Sequence, residues 1–226
     1  MKKLLAVLLI CVAGPAWSAM SLDKMIVHMD AIPNAREDIV VYNPDQETLY
    51  VQTEVFRVDN PGTEDEKLVP VVNPEDFKLL ISPSKAVIPA GAQKRFRLMN
   101  VESGIERERV YRVTFKPVVG EITTEASGLK VLVAFQALIF VQPVGGTYAL
   151  QLEHSGDQIK LKNNGAVNAE IIGVQHCVSE QQCSPVELAG RLYPGAEKLI
   201  PLDKKGGYLE VRAFDGDKSE TVKLPL

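Results

Sequence analysis

Leu129 to Pro143 reads LKVLVAFQALIFVQP, and between Val131 and Val141 only Gln136 is polar. A strand with one face in a core and one in water alternates apolar and polar side chains, so a strand made from this run is apolar on both faces. The run is about half as long as a bilayer-spanning helix, which takes ~20 apolar residues. In a water-soluble chain such a strand has one face to spare for a partner.

The other end of the chain says where that partner is met. MKKLLAVLLICVAGPAWSA carries Lys2 and Lys3, an apolar stretch from Leu4 to Ala13, and small residues at Ala16, Ser18 and Ala19. This is the pattern of a cleaved secretory signal over residues 1–18. A lipid anchor on Cys11 is disfavoured, because bulky Ile10 stands where that signal takes a small residue and Cys11 lies inside the apolar stretch. Export leaves Cys177 and Cys183 in a compartment that permits disulfides, and their spacing in HCVSEQQCS suits a local bridge. The rival is a metal site that uses His176, but no second pair of ligands accompanies it, and zinc sites usually close with four. The formal charge of −4 becomes more negative once Lys2 and Lys3 leave, which argues against a nucleic-acid binder.

DIVVYNP, LYVQTEVFRV, KRFRLMNV, RVYRVTFKPV and VLVAFQALIFVQP are rich in Val, Tyr, Phe and Ile and end near Pro, Gly or Asn, as strands do. Helical periodicity is nearly absent. After Pro143, Gly145 and Gly146 mark a joint, and a second strand series begins with YALQL and QIKLKNNGAVNAEIIGV. Short strands separated by turn residues indicate an all-β chain of two antiparallel sandwiches, at 19–143 and 147–226. NNG at 163–165 and KKGG at 204–207 read as tight turns in which glycine accepts positive φ.

Catalytic constellations are absent from the pattern. His28, His154 and His176 are not organised by a nucleophile elbow, a phosphate loop or paired metal ligands, so neither an enzyme nor a cofactor is expected. DGDKSE at 215–220 begins like a calcium loop but has no distant bidentate carboxylate after it, and reads as a solvated turn. TEDEK at 63–67 reads as an exposed loop tip. The basic residues are more informative. In RVYRVTFK, alternation sends Tyr111, Val113 and Phe115 one way and Arg112, Thr114 and Lys116 the other; in KRFRLMN, Arg95 and Arg97 share a face opposite Phe96 and Leu98. Cations beside a spare apolar strand suit a partner that brings both a strand edge and a carboxylate, which guanidinium binds with two parallel hydrogen bonds.

NPGTEDEK, FKLLISPSKAVIPAGAQKRFRL, ERVYRVTFKPV, the apolar strand ending at Pro143, and in the second half HCVSEQQC and LYPGAEK occur in one order. In these landmarks the chain resembles the periplasmic pilus-assembly chaperones of the chaperone-usher pathway, most closely the alternate class that serves colonisation-factor and common-pilus fimbriae. The resemblance implies two immunoglobulin-like sandwiches in a boomerang arrangement, and a donor strand lent to incomplete fimbrial subunits, major and minor, before delivery to an outer-membrane usher. It implies no nucleic acid among the partners.

By that resemblance the lent strand is 129–141. Leu129, Val131, Val133 and Phe135 are then expected on the face that enters the subunit, with Leu132, Ala134 and Leu138 in the chaperone's own core. Better-known classes hold the subunit carboxylate with an Arg and a Lys at the places taken here by Ile26 and Leu138, neither of which binds an anion. The expected anchor is therefore Arg112, with Arg97 as helper and Lys116 as a weaker candidate. An uncovered apolar strand aggregates, so the free protein is expected to hide it by self-association or loop cover, and the polar loop Gly120–Gly128 is expected to order with a partner. The rival readings are a fimbrial structural subunit, whose donor segment belongs near the mature N-terminus, and another secreted β-sandwich protein, since fold alone does not decide function.

Overall fold

A computed structural model describes residues 20–118, 132–155, 158–202 and 206–226. The leader at 1–18, Leu129, Val131 and the loop at 120–128 lie outside the described residues. The first half contains β1 (Ser21–Leu22), β2 (Ile26–Asp30), β3 (Arg36–Tyr42), β4 (Leu49–Asp59), β5 (Lys67–Pro70), β6 (Leu79–Ser82), β7 (Lys85–Ile88), β8 (Gln93–Asn100), β9 (Arg109–Val118) and β10 (Phe135–Gln142). The second contains β11 (Leu150–Ser155), β12 (Gln158–Asn163), β13 (Ala169–Ser179), β14 (Gln182–Val186), β15 (Gly190–Leu192), β16 (Glu197–Ile200), β17 (Tyr208–Phe214) and β18 (Ser219–Pro225).

The first half packs the sheet β1-β3-β8-β6 on the sheet β2-β10-β9-β4-β5, in which β7 also pairs with β4. Period-two alternation decides the packing. Ile39, Val41, Phe96 and Leu98 from one sheet meet Val51, Tyr111, Val113, Phe115, Ala137, Ile139 and Val141 from the other. Phe96 and Phe115 touch edge to face across the gap, with ring centroids 5.2 Å apart. The alternation expected for β8 and β9 is the one observed.

The apolar run behaves differently from its reading. Only Phe135–Gln142 forms strand; residues 132–134 carry no ladder. Odd-numbered Ala137, Ile139 and Val141 fill the core, so Leu138 points the other way and packs against Val58, Val110 and Phe140. Leu138 is not part of the core expected from the resemblance, because counting by twos from Phe135 puts it on the opposite face. Ala134 is exposed and Leu132 half-buried. The odd parity that Phe135 shares with Val133 is therefore the parity of the strand's own core side.

In the second half, β11-β12-β16 packs on β14-β13-β17-β18, with β15 pairing β13, around Leu161, Ile171, Leu209 and Val211. Asn163, fully buried, locks the first turn: its Nδ2 donates to the carbonyls of Val167 (2.8 Å) and Leu192 (3.0 Å), and its Oδ1 accepts from the amides of Ala149 (3.0 Å) and Gly165 (2.9 Å). Gly165 is needed here for proximity, not for positive φ: a Cβ on it would lie 2.4 Å from the Thr147 carbonyl oxygen. Gly206 and Gly207 do adopt positive φ. Cys177 and Cys183 face each other across β13 and β14 and form a disulfide, and His176 faces the Gly206 carbonyl at 2.8 Å. Asp215 caps its own turn, accepting from the amides of Asp217 and Lys218 at 2.9 Å each.

Candidate functional site

The face of the β2-β10-β9-β4 sheet turned away from the core is where the expected residues fall, and its register orders them in rows. The first row, Val58, Val110, Phe140 and His28, is apolar but for the histidine and abuts the second half. Phe140 is fully buried there: the Arg191 guanidinium stands over its ring at 4.7 Å, and the rings of His28 and Tyr193 lie 5.0 and 6.3 Å away. Burial holds the His28 imidazole below its usual pKa, although a hydrogen bond from the ring to the Gln142 side chain works the other way.

Beside this row Glu108 ties the halves together. Its amide donates to the Ala166 carbonyl at 2.9 Å, and its Oε2 accepts from Asn168 Nδ2 at 2.7 Å and Gln142 Nε2 at 3.3 Å. Its Oε1 is buried with no hydrogen-bond partner among the described residues. Burial pushes this carboxyl above the usual range, outweighing the bonds from Asn168 and Gln142 and the charge of Arg191.

One rung outward, the second row runs Phe56, Arg112, Leu138 and Ile26. Arg112 is thus the first cation met beyond the apolar junction, with three apolar side chains, Phe56, Leu138 and Ile26, completing its row. Its Nη2 donates to Glu66 Oε1 at 2.7 Å, and the two side chains keep 33% and 28% of their surface exposed. The third row holds Thr114 and Gln136, joined at 3.0 Å, and the fourth holds Lys116, 3.6 Å from Glu54. Arg112 and Lys116 therefore share one face.

Arg97 is not brought to them. It lies on the outward face of the other sheet, where its Nε and Nη2 make a two-pronged contact with Asp38 at 2.9 and 3.1 Å. Its guanidinium holds the Asp38 carboxyl below the usual range. With the whole sandwich between them, Arg97 does not reach a ligand held by Arg112, so its expected helper role finds no support in this placement.

The edge of β10 completes the site. Over residues 138–141 the strand is flanked by β9 on one side and by parallel β2 on the other, and the Leu138 amide donates to the Met25 carbonyl at 2.8 Å. At Phe135, Gln136 and Ala137 only the β9 side is paired, so among the described residues the other edge is open. Val133, just upstream, is 53% exposed, while Phe135 is half-buried against the core. The site thus offers a free strand edge, apolar side chains in line with it, and a guanidinium two strands from the sheet's rim. Glu66, Phe140, Tyr193 and Arg191 are not signalled by motif or spacing; they belong to it through contacts between distant parts of the chain.

No family model matches the chain. In sequence it is 30% identical over 203 residues to a CS1 fimbrial subunit of Escherichia coli, covering 84% of each protein. It is 29% identical over 178 residues to a CFA/I fimbrial subunit of Escherichia coli, covering 72% of this chain and 73% of that one. In structure it is similar to the class 5 fimbriae chaperone CfaA, at a TM-score of 0.76 and 24% identity over 91% of this chain and 98% of that one. It is also similar to a structure of the Salmonella enterica SafA pilin in complex with the SafB chaperone, at a TM-score of 0.63 and 19% identity over 94% and 99%.

Proposed function

Since the chain belongs to the periplasmic pilus-assembly chaperones of the chaperone-usher pathway, we propose that it works in the periplasm, captures fimbrial subunits by lending them β10 and the residues before it, and passes them to an outer-membrane usher. The observation that carries this reading is the open edge of β10 at Phe135–Ala137. A strand fixed in its own sheet on one side and open on the other adds a strand to an incomplete sandwich through main-chain hydrogen bonds, while alternate side chains fill the groove.

Leu129, Val131, Val133 and Phe135 are the residues proposed to enter the groove. Each large apolar side chain fully buried there contributes ~1.5–3 kcal/mol, enough for several to hold a subunit without any chemistry. Arg112 is the proposed anchor for the subunit's terminal carboxylate. Its position at the rim of the Phe140 junction fixes the register: a carboxylate held there sets which subunit residues lie beside β10. Lys116, on the same face, draws the acidic terminus in without gripping it. Until capture the strand is shielded by self-association or by loop cover.

The test is co-purification with the fimbrial subunit encoded beside this protein, comparing wild type with Val133→Asp and Arg112→Ala. Val133 is exposed and outside any ladder, so its substitution leaves the free fold intact. Wild type is expected to yield a one-to-one complex, and each variant, folded by circular dichroism, to lose it. Undiminished capture by Val133→Asp sinks the donor-strand reading.

A further inference from the structure

Arg112 is not idle in the free protein. It is held by Glu66, from the loop that follows β4, and this loop is built to present that carboxylate. Asn60 adopts φ 51°, Thr63 turns back with its amide and hydroxyl on the Asn60 carbonyl, and the Glu66 amide donates to the Thr63 carbonyl at 3.2 Å. The Glu66 side chain then spans two partners, accepting from the Gly62 amide at 2.8 Å through Oε2 and from Arg112 through Oε1. Gly62 in turn lies flat against Tyr193 of the second half, where a Cβ would come within 2.6 Å of the ring. The loop is thereby clamped between Arg112 and the junction of the two sandwiches.

We infer that Glu66 is a built-in stand-in for the subunit's terminal carboxylate, occupying Arg112 until a subunit displaces it. The inference rests on Arg112 being the carboxylate anchor, as proposed above. With Glu66 in place the pair is neutral overall, so it exerts little pull on passing anions. A second carboxylate on the same guanidinium meets the charge of the first at short range, which favours exchange over sharing. Exchange is favourable only for a ligand that also lays an apolar strand along β10. Glu66 therefore raises the selectivity of capture with some loss of affinity, rejecting acidic side chains that bring charge alone. Because Gly62 of the same loop rests on Tyr193, release of Glu66 is felt at the junction between the sandwiches.

The experiment measures binding of a synthetic peptide copying the last strand of that fimbrial subunit, as free acid and as C-terminal amide, to the full chain by fluorescence anisotropy. Wild type is expected to prefer the acid, and Arg112→Ala to lose that preference. Glu66→Gln keeps the side-chain size and an acceptor for the Gly62 amide but removes the charge. It is expected to bind the free acid roughly two- to fivefold more tightly with the amide unchanged, the scale of a partly exposed ion pair. Glu66→Asp, its carboxylate drawn back from Arg112, shifts affinity the same way. If wild type prefers the acid through Arg112 but Glu66→Gln binds it no better or more weakly, Glu66 merely positions the arginine and the stand-in inference is overturned while the anchor survives. If wild type does not distinguish acid from amide, the anchor assignment fails and the inference falls with it.

Discussion

Truncating Phe140 to alanine separates what holds each sandwich together from what joins them. The ring is fully buried, yet it points away from the core that Ile139 and Val141 fill. It is covered instead by Val58, Val110, Leu138, His28, Tyr193 and the Arg191 guanidinium. Phe→Ala in a well-packed site costs about 3–5 kcal/mol. The cation above the ring adds ~0.5–2 kcal/mol, but the junction relaxes more readily than a core, so a total near the low end, about 3 kcal/mol, is expected. Guanidinium unfolding followed by Tyr fluorescence and far-ultraviolet signals should show that loss together with a broadened or divided transition, because the two halves no longer unfold as one. Phe140→Leu, which keeps most of the volume, should lose under about 1.5 kcal/mol and keep a single transition. A loss below about 1 kcal/mol in the alanine variant, with an unchanged denaturant slope, would show that the cluster does not couple the halves.

Two further outcomes follow from buried groups. Glu108 has a carboxyl raised above its usual 4.5 by burial, so the folded state binds a proton more tightly than the unfolded chain and stability falls as pH rises from 4.5 through the folded value. Glu108→Gln should flatten that decline and raise Tm at about pH 7 relative to wild type; an unchanged difference between the two from pH 4.5 to neutrality refutes it, with His28 cancelling because both proteins carry it. Replacing Cys177 and Cys183 together by alanine opens a loop of sequence separation 6, for which the chain-entropy scale gives about 2 kcal/mol, and the loss should appear in thermal unfolding while subunit capture by the folded protein persists.

Alternation makes the sandwich legible: Tyr111, Val113 and Phe115 face inward where the pattern of RVYRVTFK puts them, and Phe96 and Leu98 oppose them. The same pattern does not say which sheet a strand joins. Arg97 and Arg112 look equivalent in sequence, each a cation on the outer face of an apolar strand, and only the pairing of β8 with β3 and of β9 with β10 puts a sandwich between them. An apolar run with no polar face carries no phase of its own, so the sequence alone places Leu138 on the wrong side. The junction is hidden for another reason: Phe140, Arg191 and Tyr193 meet across a long stretch of chain, and nothing local marks them. TEDEK looks like a solvated tip because all but its threonine are charged, and the pairing of Glu66 with Arg112 depends on the fold that follows.

The parallel pairing of β2 with β10 stops at Leu138, so β10 is secured at one end and available at the other. Mechanically this is a zipper with a fixed stop. A guest strand laid from Ala137 toward Val133 can be stripped by a rival one hydrogen-bonded pair at a time from the unsecured end, and each step has to overcome a single pair where simultaneous separation would have to overcome the whole ladder. Tight holding and prompt release then cease to oppose each other: the first is set by the number of pairs, the second by the ease of the terminal one.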